Sequence, residues 1–265
     1  MHGVSRKTAL GALLAAVIAA GAILLLSGDD SSPDESDAAT VRAEPRALAE
    51  TKAEETRADR RRLVISDRGN PIVWVRHGQT VDIRSSPGGP VVRSVGDETE
   101  FGSPRVFAVE RTDGRWAGVP NAFTGNGALG WVRLDGRELR SGYTTRSIRV
   151  DLSDFRAQLL IGDRVVRSFT VAIGAPGTDT PVGTFAVTDT FRGDLNPAYG
   201  CCAVALSAVQ PNLDSGWIGG NRIAFHGTAG PLGVAVSHGC IRAADRDVNA
   251  LVNRVPPGTP VTVSQ

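Results

Sequence analysis

Lysine is almost missing from this chain: Lys7 and Lys52 are its only representatives among 29 basic residues, the rest being arginine. Twenty-eight acidic residues bring the formal net charge to +1. No Lys/Arg stripe breaks that balance, which excludes the basic footprint of a nucleic-acid binder. Aromatic residues are scarce at 5%, while glycine reaches 31 residues, a composition that favours a turn-rich β protein over a helical bundle. Cysteine is rarer still, with three residues, and histidine has four. Their spacing fits no usual metal-ligand set, and no cofactor is implied.

Charge is absent in one place. Residues 8–28 are almost all Ala, Leu, Ile, Val and Gly. At 1.5 Å per residue this run spans a hydrocarbon core of about 30 Å. Arg6 and Lys7 precede it and Asp29, Asp30, Asp34 and Glu35 follow it, which places the N-terminus in the cytoplasm and the remainder outside. An uncleaved transmembrane helix is expected; a cleaved signal peptide is the alternative, and both export the chain. Residues 29–62 are polar, charged and without an apolar period, and a disordered, charged linker is expected over residues 29–69.

What the chain does have is β-forming runs. In residues 70–140, Ile72-Val73-Trp74-Val75, Val81-Asp82-Ile83-Arg84, Pro90-Val91-Val92, Arg105-Val106-Phe107-Ala108-Val109, Trp116-Ala117-Gly118-Val119 and Gly130-Trp131-Val132-Arg133-Leu134 alternate with turn signals such as Pro87-Gly88-Gly89, Asp113-Gly114 and Gly125-Asn126-Gly127. A small barrel is expected, with Trp74, Trp116 and Trp131 in its core; lining a groove is the alternative. Residues 145–265 form a second β-rich domain. It opens with strands near Ile148–Leu152 and Ala157–Ile161, turns at Gly162-Asp163, and continues with a strand near Val165–Ile173. Later runs include Ala203–Ser207 and Arg222–Phe225. One helix is predicted, from about Asp245 to Val255, because Val248, Leu251, Val252 and Val255 share a face.

The chemistry concentrates in Ser237-His238-Gly239-Cys240-Ile241-Arg242 and, upstream, Phe225-His226-Gly227-Thr228. A thiol is reactive as thiolate, and a nearby imidazole accepts its proton. Glycine beside the nucleophile lets backbone N–H groups of Gly239 and Cys240 point at a developing oxyanion. Spacing alone leaves His226 and His238 equally able to reach the sulfur. Arg242 offers a planar fork to a substrate carboxylate. Cys201 and Cys202 are expected as two small buried hydrophobes, since adjacent residues, with Cα atoms 3.8 Å apart, lie below the usual disulfide range. A bridge from either to Cys240 would silence the thiol.

With these motifs in order, joined by Thr180-Pro181-Val182-Gly183-Thr184-Phe185 and Gly258-Thr259-Pro260-Val261, residues 145–265 resemble the L,D-transpeptidase catalytic domains, cysteine enzymes that crosslink peptidoglycan. The phrases at residues 81–87, 114–119 and 130–134 resemble bacterial SH3-like domains. The resemblance implies a mostly β chain: a β-sandwich with one short helix, preceded by an SH3-like barrel and a transmembrane helix. It makes Cys240 the nucleophile and His226 its base, with His238 supporting the loop. Ser237, Gly227, Thr228 and Tyr199 join Arg242 as candidate substrate contacts. The partners it implies are peptidoglycan stem peptides and, through the N-terminal helix, a membrane. An L,D-carboxypeptidase and a non-catalytic wall-binding scaffold are the alternatives.

Overall fold

A computed structural model of the chain describes residues 69–193, 195–213 and 220–265. The expected anchor at residues 8–28, the expected linker and Trp217 lie outside the described residues.

The first part carries eight strands: β1 (Asn70–Val75), β2 (Val81–Arg84), β3 (Val91–Val95), β4 (Val106–Ala108), β5 (Arg111–Asp113), β6 (Trp116–Pro120), β7 (Leu129–Arg133) and β8 (Leu139–Thr144). They form a three-stranded sheet, β4-β1-β8, and a five-stranded sheet, β3-β2-β7-β6-β5. Alternation along β1 and β2 sends Val73, Val75, Val81 and Ile83 into a shared apolar cluster with Phe107, Val119 and Val132. Of the three tryptophans expected in the core, Trp131 is buried, whereas Trp74 and Trp116 are half-buried. Arginines lie over all three rings: Arg140 on Trp74, Arg84 on Trp116 and Arg111 on Trp131. In a domain this small the indoles have too little interior to enter fully, and the guanidiniums cover the faces left outside.

The second part contains β9 (Arg146–Asp151), β10 (Arg156–Ile161), β11 (Arg164–Thr170), β12 (Ile173–Gly174), β13 (Gly183–Arg192), β14 (Cys202–Val209), β15 (Arg222–Gly227), β16 (Ala235–Ser237), β17 (Ile241–Ala243), helix α1 (Asp245–Val252) and β18 (Pro260–Ser264). Eight of these strands hydrogen-bond in the order β11-β10-β9-β18-β13-β14-β15-β17. Strand β13 joins the two halves of this sheet. Its first residues, Gly183 to Ala186, pair with β18, and its last, Asp189 to Arg192, pair with β14. Both halves contribute to one apolar cluster, Ile148 and Leu159 from one side and Leu206, Phe225 and Ile241 from the other. The architecture is mostly β with one α-helix among the described residues, as the composition indicated.

Helix α1 lies against this cluster through Val248, Leu251 and Val252. Asp245 and Asp247 occupy its first turn, where carboxylates meet the positive end of the helix dipole. Arg167 of β11 donates from Nε to Asp247 Oδ1 at 2.8 Å and ties the helix start across the fold.

Candidate functional site

The edge of the large sheet builds the site. Strands β15 and β17 run parallel, with Phe225 opposite Ile241 and His226 opposite Arg242. Cys240 immediately precedes β17, so this register brings the thiol and His226 to the same end of the sheet. Strand β16 ends at Ser237, and the turn Ser237–Cys240 connects it to β17.

His226 is buried, and its Nδ1 lies 2.9 Å from the Gly227 carbonyl oxygen. A carbonyl only accepts, so Nδ1 carries the proton and Nε2 keeps its lone pair. The edge of Tyr199, on the short 3₁₀ turn Pro197–Tyr199, meets the imidazole at a centroid distance of 5.0 Å and an interplanar angle of 78°. Burial pushes the imidazole below its ordinary pKa; the Gly227 carbonyl raises it, and the charge of Arg242 lowers it again. Burial likewise pushes the Cys240 thiol up, opposed by a backbone hydrogen bond at Ala224 and by Arg242. A lowered imidazole and a raised thiol leave both neutral at rest. Cys240 is free, and its Sγ lies 4.0 Å from the Arg222 carbonyl oxygen.

Arg242 is half-buried, with its backbone locked to Ala172 by two hydrogen bonds of 2.8 Å. Its Nε is buried without a partner, and its charge acts on both Cys240 and His226. A buried guanidinium N–H with no acceptor is able to take an anion.

The Ser237–Cys240 turn is braced from several sides. Ser237 Oγ donates to the Cys240 carbonyl at 2.6 Å and accepts the Gly239 N–H at 3.1 Å. Gly239 has φ +103°, and an added Cβ would collide with Gln210 Nε2 and Ile223 Cδ1. Thr180 Oγ1 donates to the Gly239 carbonyl and accepts the Gly174 N–H, both at 2.9 Å. Gln210 Nε2 donates to the carbonyls of His238 and Asp179 at 3.4 and 3.0 Å. The side chain of His238 is exposed.

Gly227 is buried, and a Cβ there would strike Asp245 Oδ1. Close packing requires glycine at this position. Thr228 is half-buried, its N–H bonded to the Ala243 carbonyl and its Oγ1 accepting from Gly230. Cys201 and Cys202 are joined by a disulfide, which overturns the reading of two separate small hydrophobes. The chain turns at Gly200 (φ 62°), between the 3₁₀ turn and β14, immediately before Cys201. Cys202 is buried and Cys201 half-exposed, and neither is bridged to Cys240.

Residues 145–263 match the YkuD family model, the L,D-transpeptidase catalytic domain. The match covers somewhat under half of the chain. It is 32% identical over 120 residues to the putative L,D-transpeptidase YkuD of Bacillus subtilis, covering 44% of this chain and 65% of that protein. The corresponding Bacillus licheniformis protein is 33% identical over 119 residues, with 44% and 64% covered. The chain thus spans just under two thirds of the length of these curated relatives. Among solved structures, an L,D-transpeptidase from Mycobacterium tuberculosis superposes with a TM-score of 0.39 at 20% identity, covering 52% of this chain and 72% of that one. One from Mycobacterium smegmatis also gives 0.39, at 17% identity over 59% and 81%.

Within the matched segment, Tyr199 meets His226, His226 lies opposite Arg242, and Cys240 immediately precedes β17. The bracing roles of Thr180 and Gln210 were not visible from spacing. Each is a common polar residue far in sequence from the turn that it holds.

Proposed function

We propose that the chain is a peptidoglycan L,D-transpeptidase. The observation that carries the reading is the His226 tautomer. With Nδ1–H committed to the Gly227 carbonyl, Nε2 is the side of the ring able to take the Cys240 proton. Because both groups rest neutral, proton transfer accompanies attack. The thiol sulfur adds to the carbonyl carbon after the third residue of a stem tetrapeptide as its proton passes to Nε2. The Cys240 N–H is the candidate donor to the oxyanion. Collapse breaks the amide bond, His226 returns the proton to the departing D-Ala amine, and a thioester remains on Cys240. A side-chain amine of a neighbouring stem then attacks the thioester, loses its proton to His226 and leaves a 3→3 crosslink and the free thiol. Arg242, with its unpartnered Nε, fits the donor carboxylate.

The reaction takes place outside the cytoplasm, with residues 8–28 as the membrane anchor; their uncharged run and its basic flank support this.

The test is incubation of the full chain with tetrapeptide and pentapeptide muropeptides, followed by released D-Ala and product mass. D-Ala release and a crosslinked dimer from the tetrapeptide are expected, and both vanish in Cys240→Ala. Preferential use of the pentapeptide would overturn the substrate; unchanged turnover by Cys240→Ala would overturn the mechanism.

A further inference from the structure

Two side chains of the first part reach the strands that flank Cys240. Asn126 sits in the turn between β6 and β7, held between Gly125 (φ +87°) and Gly127 (φ +78°). Its carboxamide completes the end of β14: Nδ2 donates to the Val209 carbonyl at 2.6 Å, and the Val209 N–H donates to Oδ1 at 2.9 Å. The next residue is Gln210, almost fully buried, whose amide supports the His238 carbonyl and fills the space that a Gly239 side chain would need. On the other flank, Glu100 Oε1 accepts from Arg222 Nη1 at 2.7 Å. Arg222 Nε and Nη2 bond the Leu206 carbonyl and Thr188 Oγ1, and its own carbonyl faces the Cys240 sulfur. Thr99, beside Glu100, donates to the fully buried Asp189 at 2.5 Å.

We propose that Asn126 and Glu100 are positioning residues for the nucleophile: through Val209–Gln210 and through Arg222 the first part of the chain holds the Ser237–Cys240 turn and the floor beneath the thiol. The proposal rests on the reading of Cys240 as the nucleophile. The path is short and made of fixed partners. The carboxamide of Asn126 fixes both backbone groups of Val209, which fixes the Gln210 backbone, and the Gln210 amide ends on a carbonyl next to Gly239. Acyl transfer is sensitive to such placement, since about 1 Å of displacement costs on the order of a hundredfold in rate. The first part is thereby a component of the active site rather than an independent module.

The full chain is used for the test, as wild type, Asn126→Ala, Asn126→Asp, Glu100→Gln and Phe101→Ala. Phe101 packs edge-to-face on Phe191 at 5.3 Å across the same contact, but on β13 rather than beside the thiol. Two quantities are measured: the rate of Cys240 alkylation by iodoacetamide as a function of pH, and the rate of acylation by a carbapenem followed by intact mass. Alkylation reports on the thiol whether or not the chain crosslinks peptidoglycan, so failure of the functional reading is separable from failure of this one. Asn126→Ala is expected to slow acylation at least about tenfold and to displace the alkylation pH profile. Glu100→Gln does so more weakly. Asn126→Asp, which keeps the acceptor but loses the donor, falls between wild type and Asn126→Ala. Phe101→Ala lowers the melting temperature and leaves both rates within about twofold. Wild-type rates and profile in Asn126→Ala and Asn126→Asp overturn the proposal, as does an equal loss in Phe101→Ala.

Discussion

Arg242 acts on two titrating groups at once, and removing it has a defined sign. Its charge lowers the pKa of both the Cys240 thiol and the His226 imidazole, because a cation favours thiolate and disfavours imidazolium. Arg242→Gln is therefore expected to move the alkylation profile of Cys240 to higher pH and the NMR titration of His226 to higher pH as well. Two shifts in the same direction separate a charge effect from altered burial. Burial moves the thiol up and the imidazole down, so a variant that merely opened the site would move the two groups in opposite senses. Turnover of a tetrapeptide donor should show a raised KM. The proton linkage follows from the same shifts. His226, with its pKa depressed in the fold, contributes stability that is lost as pH falls from about 6.5 toward the folded value. Cys240, with its pKa raised, contributes stability lost as pH climbs above its unfolded value.

At the scale of elements, the Ser237–Cys240 turn is held by the segment between β12 and β13 as much as by its own strands. Thr180 makes that link by accepting the Gly174 N–H and donating to the Gly239 carbonyl. Thr180→Val keeps the shape and leaves both backbone groups without a partner. The expected loss is about 1–3 kcal/mol of stability, read by thermal unfolding, with slower carbapenem acylation. Wild-type acylation in this variant would show that the link does not position the turn. The same region shows which elements could be read from sequence. Strands β9 and β10 and the Gly162-Asp163 turn were legible because apolar residues alternate along them and the turn residues are distinctive. The length of strand β13 was not legible, because its two ends pair with different neighbours, β18 and β14. Strands β16 and β17 were not legible at all: three residues each, they are strands only because β12 and β15 lie beside them. Strand β5 is polar and known only from its register with β6. The reactive residues were visible by type, and Arg242 by its proximity to them. The braces were not, because Gln210 and Thr180 carry no local pattern, and Asn126 between two glycines reads as turn chemistry that hides its contact with Val209.

For the molecule from residue 69 onward, the contacts between the first part and the second part predict one unfolding unit. Polar links run through Thr99–Asp189, Glu100–Arg222 and Asn126–Val209, and Phe101 packs on Phe191. A further contact is made by the loop before β18. Gly258 has φ +84°, and a Cβ there would lie 2.5 Å from Val106 Cγ1 and 3.2 Å from Ile72 Cγ2, on strands β4 and β1. Gly258→Ala therefore combines a left-handed backbone penalty of about 1–2 kcal/mol with overpacking of about 1–3 kcal/mol. For a chain of this size that lowers the melting temperature by at least about 5 °C. Three of the four tryptophans, Trp74, Trp116 and Trp131, belong to the first part. In a Trp217→Phe background, indole fluorescence reports on that part alone, while loss of far-UV circular dichroism reports on all the strands. The two signals are expected to share one midpoint, and Gly258→Ala to move both together, although the substituted residue belongs to the second part. Separate midpoints, or a shift confined to the dichroism signal, would mean that the two parts unfold independently, and that the contacts between them are too weak to couple them.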